Sequence, residues 1–290
     1  MPASHLTQIE LGDFRVTSVR AGSYWWDGGT FFGVVPKTLW SKTQPCDELN
    51  LIEAGFNCFV VEDGHTRILV ETGGGVRHDE RALERMNLPA PPHLTELLAA
   101  QGFEPDSFDL VINTHLHWDH VGGNTIGGDM DHQDRIQPAF PKAWYVTQQG
   151  ELEHARERHP RDSVSYRPIN YETLVAAGQM RLIDGAEEVS PGVWVQPAKG
   201  HNRDMMIVKV ISKGESWVHL ADLVQYTAQL TPTWVSGFDI YPLDAIESRM
   251  LTLGWAAHND TWCSFGHDPK TAFAKIQLKD GKWEARQSQS

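Results

Sequence analysis

Residues 114–124, "THLHWDHVGGN", place three histidines and an aspartate within the six positions from His115 to His120. In an extended segment, residues two apart point the same way, so His115, His117 and Asp119 can share one side of the chain. A turn at Asp119 directs His120 towards a neighbouring point, and the two glycines that follow permit a tight turn. The short apolar run before the motif, "FDLVIN", is typical of a buried strand. The sequence therefore predicts a metal-binding turn at a strand end.

Three further candidate ligands each follow a predicted strand: His201 in "AKGHN", Asp222 in "HLADL" and His267 in "SFGHD". Together with the motif they make seven ligands, which is too many for one tetrahedral zinc ion. The set suits two metal ions that share a bridging carboxylate and a bridging hydroxide, and a bound metal lowers the pKa of water to around 7. We expect two divalent metal ions, zinc first, with manganese, cobalt or iron as alternatives because imidazole and carboxylate accept all of them.

Composition limits the classes of partner. The chain has 290 residues, of which 40% are hydrophobic and 22% charged, as in ordinary soluble enzymes. A net charge of −13 argues against nucleic acid as a partner and also disfavours a strongly anionic substrate. No apolar run long enough for a membrane span is present. The opening "MPASHLTQIELGDF" has no basic region followed by an apolar one, so we expect a cytoplasmic protein with no membrane partner.

The three cysteines are odd in number and form no CxxC pair, which argues against a disulfide framework or a thiolate zinc site. Strand patterns dominate the chain, and helical patterns are interspersed in both halves. Along residues 242–258, Leu243, Ile246, Met250 and Leu253 are spaced as one apolar helical face. The chain repeats one layout, in which strands and a helix precede a strand that ends in a candidate ligand. Two sheets packed face to face with helices outside accommodate this layout.

The motif "HLHWDH", followed by His201, Asp222 and His267, resembles the metallo-β-lactamase superfamily over roughly residues 55–270. The resemblance implies an α/β fold of the αββα type, with two mixed sheets packed face to face and helices outside, and a single domain over residues 1–290. It also implies two groups of three metal ligands and one bridging ligand: His115, His117 and His201; Asp119, His120 and His267; and Asp222.

Within the superfamily, Asp222 stands where well-known β-lactamases have a cysteine, and the acidic charge disfavours the nuclease branches. "HLHWDHVGGN" resembles N-acyl homoserine lactonases, and "ADLVQYTAQL" resembles methyl parathion hydrolase-like esterases. The resemblance implies a hydrolase of neutral or apolar esters, with small-molecule lactones as first choice, in which a bridging hydroxide attacks the carbonyl and Asp119 passes a proton to the leaving group. A phosphotriesterase or arylesterase with the same centre remains an alternative. So does an iron-dependent oxygenase, from a different class.

Aromatic residues crowd residues 22–41, which we expect to form an N-terminal loop near the active site. Trp26 and Phe32 of this segment, with Trp118 of the motif, are candidate substrate-binding residues because ligand pockets are mostly apolar. Ordinary core packing, or packing in a homodimer, is the alternative. Related lactonases have a catalytic tyrosine three residues after the bridging aspartate, so Tyr226, four residues after it, is a candidate catalytic residue. Glu71 in "VETGGG" matches a supporting acid of the family and is placed to orient a ligating imidazole.

Overall fold

Two sheets of seven strands each form the centre of the computed structural model, which describes residues 8–88, 92–128 and 132–286. The first sheet has the order β1-β2-β3-β4-β5-β8-β9. Its strands are β1 (Gln8–Leu11), β2 (Phe14–Asp27), β3 (Leu51–Glu62), β4 (Arg67–Val70), β5 (Leu110–Ile112), β8 (Trp144–Gln148) and β9 (Met180–Ile183). Strands β1 to β4 pair antiparallel, and β4, β5, β8 and β9 pair parallel. The hairpin between β3 and β4 contains Asp63-Gly64, a dipeptide typical of tight turns. A two-stranded ribbon joins β6 (Thr125–Ile126) and β7 (Gln137–Pro138).

The second sheet runs in sequence order from β10 to β16. Its strands are β10 (Glu187–Ser190), β11 (Val193–Pro197), β12 (Met206–Ser212), β13 (Glu215–His219), β14 (Trp262–Ser264), β15 (Ala274–Lys279) and β16 (Lys282–Arg286). The inner faces of the two sheets share one buried apolar cluster, in which the rings of Phe59 and Trp217 lie 5.4 Å apart. Burial of both inner faces holds the layers together.

Eight helices accompany the sheets in the described residues. They are α1 (Gly28–Phe32), α2 (Lys37–Trp40), α3 (Glu80–Arg85), α4 (Leu94–Ala99), α5 (Trp118–Val121), α6 (Gln149–Glu157), α7 (Glu172–Ala176) and α8 (Pro242–His258). The predicted α/β fold with two mixed sheets and helices is therefore confirmed. Within the described ranges, no helix combines the length and the apolar character that crossing a lipid bilayer requires. The expectation of a cytoplasmic protein rests partly on residues 1–7, and these lie outside the described residues.

The apolar face predicted for α8 is wrong in part. Leu253 is buried, but the side chains of Leu243 and Met250 are 79% and 59% exposed. The inward face instead carries the fully buried Arg249, whose guanidinium donates to the carbonyl oxygens of Leu223 and Trp234, both at 2.6 Å. These hydrogen bonds satisfy two of the three guanidinium nitrogens, leave the buried Nη2 without a partner among the described residues, and tie the helix to the chain that follows β13.

The expectation of an aromatic loop over residues 22–41 also needs correction, because regular structure covers most of the segment. Strand β2 continues to Asp27, and α1 and α2 follow. The Asp27 carboxylate accepts from the backbone N–H of Gly29 at 2.7 Å and so caps α1. Residues 22–41 therefore form strand and helix, rather than a loop, over most of their length.

Candidate metal centre and substrate cavity

The motif turns sharply where β5 ends. His115 lies in a bend and His117 in extended chain, whereas Asp119 and His120 lie in α5, which begins one residue earlier than the predicted turn at Asp119. Gly122 allows two backbone segments to approach closely, since a Cβ on it would lie 2.1 Å from the carbonyl oxygen of Gly74. The two glycine-containing segments therefore pack directly against each other beside the motif.

The structure brings all seven predicted ligands together at one edge of the two sheets. His201 follows β11, Asp222 lies in a 3-10 turn after β13, and His267 follows β14. Ligand atoms converge in three groups, each within 4.8 Å. Two of them are the groups that the sequence resemblance implies: His115, His117 and His201, and Asp119, His120 and His267. The third joins Glu71 to His115 and His120.

Asp222 lies between the two groups. Its Oδ1 is 3.1 Å from Nε2 of His120 and 3.2 Å from Nε2 of His267, and its Oδ2 is 3.4 Å from Nε2 of His201. Gln225 donates a further hydrogen bond to Oδ2 at 2.7 Å. One carboxylate therefore faces imidazoles from both groups, as a bridging ligand must.

The donor set fits divalent cations. Burial, with the neighbouring imidazoles, lowers the pKa of His115 and of His117 well below the usual value for histidine, so both rings are neutral. Burial opposes ionisation of Asp222, but His120, His267 and His201 outweigh it and hold the pKa of that carboxyl well below its usual range. The buried Nε2 of His115 has no hydrogen-bond partner among the described residues, and Nδ1 of His117 faces Nε2 of His201 at 3.0 Å. Burial opposes protonation of His120 and of His201, but neighbouring carboxylates raise the pKa of both rings above the usual value, so a bound metal would replace a proton there. Neutral imidazoles and ionised carboxylates aimed at common points are what divalent metals bind.

A second layer of residues orients these imidazoles. Glu71 accepts a hydrogen bond from the Thr114 hydroxyl, and its Oε1 lies 3.5 Å from Nδ1 of His120. Asp239 lies 3.1 Å from Nδ1 of His201. Such outer contacts fix ring orientation in metal sites. The sequence indicates Glu71 through "VETGGG", whereas Asp239 lies in irregular chain without a recognisable motif.

A cavity of about 610 Å³ opens over the candidate ligands. Its volume suits a small organic molecule. The predicted substrate-binding residues Trp26 and Trp118 line it, together with Phe31, Phe238 and Tyr24. Aromatic side chains therefore form part of the cavity wall.

Two predicted site residues lie outside the cavity wall. Phe32 is fully buried, and its ring stacks on Trp40 at 5.0 Å, so its neighbour Phe31 faces the cavity instead. Tyr226 is also fully buried, and its hydroxyl donates to the carbonyl oxygen of Glu53 at 3.1 Å. Neither side chain is placed to touch a substrate, so both are structural residues.

Tyr24 is the functional candidate that sequence reasoning missed. It lies in β2, lines the cavity and donates its phenolic hydrogen to Oδ2 of Asp119 at 3.0 Å. Burial and the nearby Asp119 raise the pKa of Tyr24 well above its usual value, so the phenol stays protonated as a donor. The only sequence signal was its place as the single tyrosine in the aromatic segment.

Substitution of Trp26 and of Phe32 by Ala should give different results. Trp26→Ala should raise KM for esters with long apolar groups about tenfold, because an apolar contact surface of the cavity is lost. It should leave the melting temperature nearly unchanged, because the Trp26 side chain is partly exposed. Phe32→Ala should instead destabilise the fold by about 3–5 kcal/mol through a core cavity. Steady-state kinetics on short and long esters, with denaturant unfolding, measures both. Equal rises in KM for short and long esters in Trp26→Ala would contradict the assignment.

Glu151 is a buried acid behind the motif. It lies in α6, and its Oε1 accepts from the backbone N–H of Leu116 at 2.8 Å and from the hydroxyl of Tyr166 at 3.0 Å. The Tyr166 ring packs on the ring of His117, with centroids 4.7 Å apart. Burial raises the pKa of Glu151 from 4.5 to about 7. Glu151 therefore supports the motif from behind as a largely protonated acid below neutral pH.

The contribution of Glu151 to stability should fall as the pH rises from 4.5 to about 7, because the folded chain keeps the Glu151 proton that the unfolded chain releases. The contribution is about 1.4 kcal/mol per pH unit within that window. Glu151→Gln should remove this part of the pH dependence, as measured by urea unfolding at several pH values. The exposed Glu153 on the same helix provides the control, Glu153→Gln. Identical pH slopes for Glu151→Gln and the wild type would show that the group does not hold its proton.

Comparisons with known proteins agree with this geometry. Residues 55–126 match the family described as the metallo-beta-lactamase superfamily. The N-acyl homoserine lactonase of Bacillus cereus is 26% identical over 191 residues, which is 62% of this chain and 68% of that protein. The chain spans about half the length of other curated relatives, such as the N-acyl homoserine lactonase of Bacillus thuringiensis, with 54% covered.

Solved structures match over nearly the whole chain. A probable metal-dependent hydrolase from Staphylococcus aureus superposes with a TM-score of 0.86 at 26% identity, covering 97% of this chain and all of that one. AidC, a dizinc quorum-quenching lactonase solved with the product N-hexanoyl-L-homoserine, gives a TM-score of 0.79 at 20% identity and covers 98% of both chains. Residues 55–126 are thus similar in sequence to the metallo-beta-lactamase superfamily, and the whole chain shares its fold with these two solved hydrolases.

Proposed function

We propose that the protein is a dinuclear metal-dependent hydrolase of ester bonds, with lactones as its first substrate class. The observation that carries the proposal is Asp222, whose two carboxylate oxygens face both ligand groups beneath an aromatic cavity. The relatives named as N-acyl homoserine lactonases support the choice of a lactone. The proposed centre holds zinc, with manganese, cobalt or iron as alternatives.

Two divalent ions bound by the seven residues would supply a hydroxide nucleophile at neutral pH and polarise the ester carbonyl. Asp119 lines the cavity at the ligand set, and we assign it the transfer of a proton to the leaving oxygen. Tyr24 holds Asp119 in place through its hydrogen bond to Oδ2. Trp26, Trp118 and Phe31 form an apolar wall that holds the non-reacting part of the substrate and excludes water.

Tyr24→Phe should reduce kcat by about 10-fold to 100-fold, because outer contacts to a ligating group have effects of this size. The ring and its packing are retained, so the melting temperature should change little. Steady-state hydrolysis of a lactone measures the effect. Tyr226→Phe is the matched control, since its hydroxyl bonds to a backbone carbonyl outside the cavity. A larger loss of kcat in Tyr226→Phe than in Tyr24→Phe would reverse the two assignments.

Hydrolysis assays on the metal-loaded protein test the proposed function. A set of N-acyl homoserine lactones, an aryl ester and a phosphotriester should be compared at equal concentration, before and after chelation. Lactone turnover that chelation abolishes supports the proposal. Preference for the phosphotriester would assign the centre to phosphotriester hydrolysis. Absence of turnover for all three would contradict the proposal.

A further inference from the structure

Three arginines line the cavity over the candidate metal centre: Arg85, Arg161 and Arg167. None of them has a carboxylate within ion-pair distance in the part of the chain that the structure describes. Arg85 and Arg161 are exposed, at the mouth, and Arg167 is half-buried. Cations without acidic partners are unexpected here, because the protein as a whole has a net charge of −13.

Arg167 is the one held in a defined position. Its guanidinium carbon lies 5.1 Å from the ring centre of Trp118, which stands between His117 and Asp119 in the motif. Its Nη1 donates to the carbonyl oxygen of Arg77 at 2.9 Å. Its Nε and Nη2 have no acceptor among the described residues. A fixed, half-buried guanidinium with free N–H groups can donate a charge-assisted pair of hydrogen bonds to a ligand.

The three aspartates of the cavity wall lie beyond ion-pair distance of Arg167, although Asp119 and, outside the wall, Asp79 are near enough to act on its charge. Asp119 and Asp222 belong to the proposed ligand set, where their charge faces imidazoles. Asp162 is engaged with His154, whose Nε2 lies 2.8 Å from Oδ2. Three aspartates and three arginines line the cavity, so the wall carries no excess of positive charge, and the observation that points to an anionic ligand is the set of free N–H groups on Arg167.

We infer that the substrate is an ester or lactone that carries an anionic group, a carboxylate in the simplest case, which Arg167 binds while Arg85 and Arg161 attract it at the mouth. The aromatic wall holds the uncharged remainder. This inference rests on the proposed function and sharpens it, since composition alone favoured neutral or apolar esters. The free guanidinium N–H groups of Arg167, rather than the net charge of the chain, are therefore the guide to the substrate.

The test compares two probes that differ only in charge, 4-acetoxybenzoate and 4-acetoxybenzamide, on the zinc-loaded protein. The wild type should hydrolyse the carboxylate with a kcat/KM about tenfold above that of the amide, the size of one charge-assisted hydrogen bond. Arg167→Gln should abolish this preference, and Arg167→Lys should keep part of it because the charge remains. Arg161→Gln, at an exposed side chain, should reduce it less. Arg81→Gln is the control, since Arg81 is exposed on the same helix as Arg85 but does not line the cavity.

Calorimetric titration with 4-hydroxybenzoate and 4-hydroxybenzamide separates this inference from the proposed function, because binding needs no turnover. Tighter binding of the carboxylate in the wild type, lost in Arg167→Gln but not in Arg81→Gln, supports the inference even if neither ester is hydrolysed. Equal binding of both probes, no binding of either, or a preference that survives Arg167→Gln overturns it. Overturning it leaves ester hydrolysis standing, whereas absence of hydrolysis on every ester contradicts the proposed function.

Discussion

The Asp222→Asn variant should lose about 10³-fold or more in kcat for ester hydrolysis, as expected when a preorganised charge at a reaction centre is removed. The physical reason is the double role of the carboxylate. Oδ1 faces His120 and His267, and Oδ2 faces His201 while accepting from Gln225. An asparagine has one oxygen and one NH2 group, so it can present an oxygen to only one of these two sides.

Steady-state kinetics and metal content of Asp222→Asn, measured on the same sample, check this prediction. We expect both to fall, because the amide cannot neutralise two cations. Asp184→Asn is the control, since Asp184 is exposed and away from the cavity. Activity within tenfold of the wild type, with unchanged metal content, would show that no bridging carboxylate is needed.

Metal loading should raise the melting temperature of chelator-treated protein by about 10 °C. A ligand present at a thousand times its Kd stabilises the folded state by about 4 kcal/mol. A chain of this size gains about 2–4 °C for each kcal/mol. The buried Nε2 atoms of His115 and His117 have no hydrogen-bond partner among the described residues, so bound metal should stabilise the folded chain strongly.

Thermal unfolding with and without added zinc measures this effect. His115→Ala should lose most of the zinc-dependent shift because it removes a ligand whose Nε2 is buried without a partner. His65→Ala should retain the full shift, since His65 is exposed in the hairpin turn. A shift of equal size in both variants would place the zinc somewhere other than this centre.

The candidate ligands were predictable because each follows a strand closely in sequence. His115, His201, Asp222 and His267 come just after β5, β11, β13 and β14, and strand ends that meet at one sheet edge bring them together. The fold was predictable for a similar reason, since the strand and helix patterns are local. These predictions required only the spacing of nearby residues and a motif that resembles one known superfamily.

The cavity wall was not predictable in the same way. Tyr24 meets Asp119 across 95 residues of sequence. Its direction depends on a register shift between Arg20 and Ser23 in the pairing of β2 with β3. A shift of one residue turns every later side chain to the other face of the sheet, and no pattern in the aromatic segment reveals it.

The neighbours Phe31 and Phe32 show that the sequence also does not predict which side of a short helix faces the cavity. Both are aromatic and adjacent, and the orientation of the short α1 decides which ring faces the cavity. Stacking of Phe32 on Trp40 fixes that orientation, and Trp40 lies in the next helix. Likewise, the resemblance to lactonases brought Tyr226 within one residue of the expected position, yet its hydroxyl bonds to Glu53 in the first sheet. Such tertiary contacts decide between a core residue and a wall residue.

The most direct test of a two-metal hydrolase is elemental analysis of protein purified without chelator, with lactone hydrolysis measured on the same sample. The proposed centre predicts about two divalent ions per chain, because the seven residues form two ligand groups around Asp222. It also predicts turnover that chelator abolishes and added zinc restores. One iron per chain without hydrolysis would contradict it and favour an oxygenase at the same site.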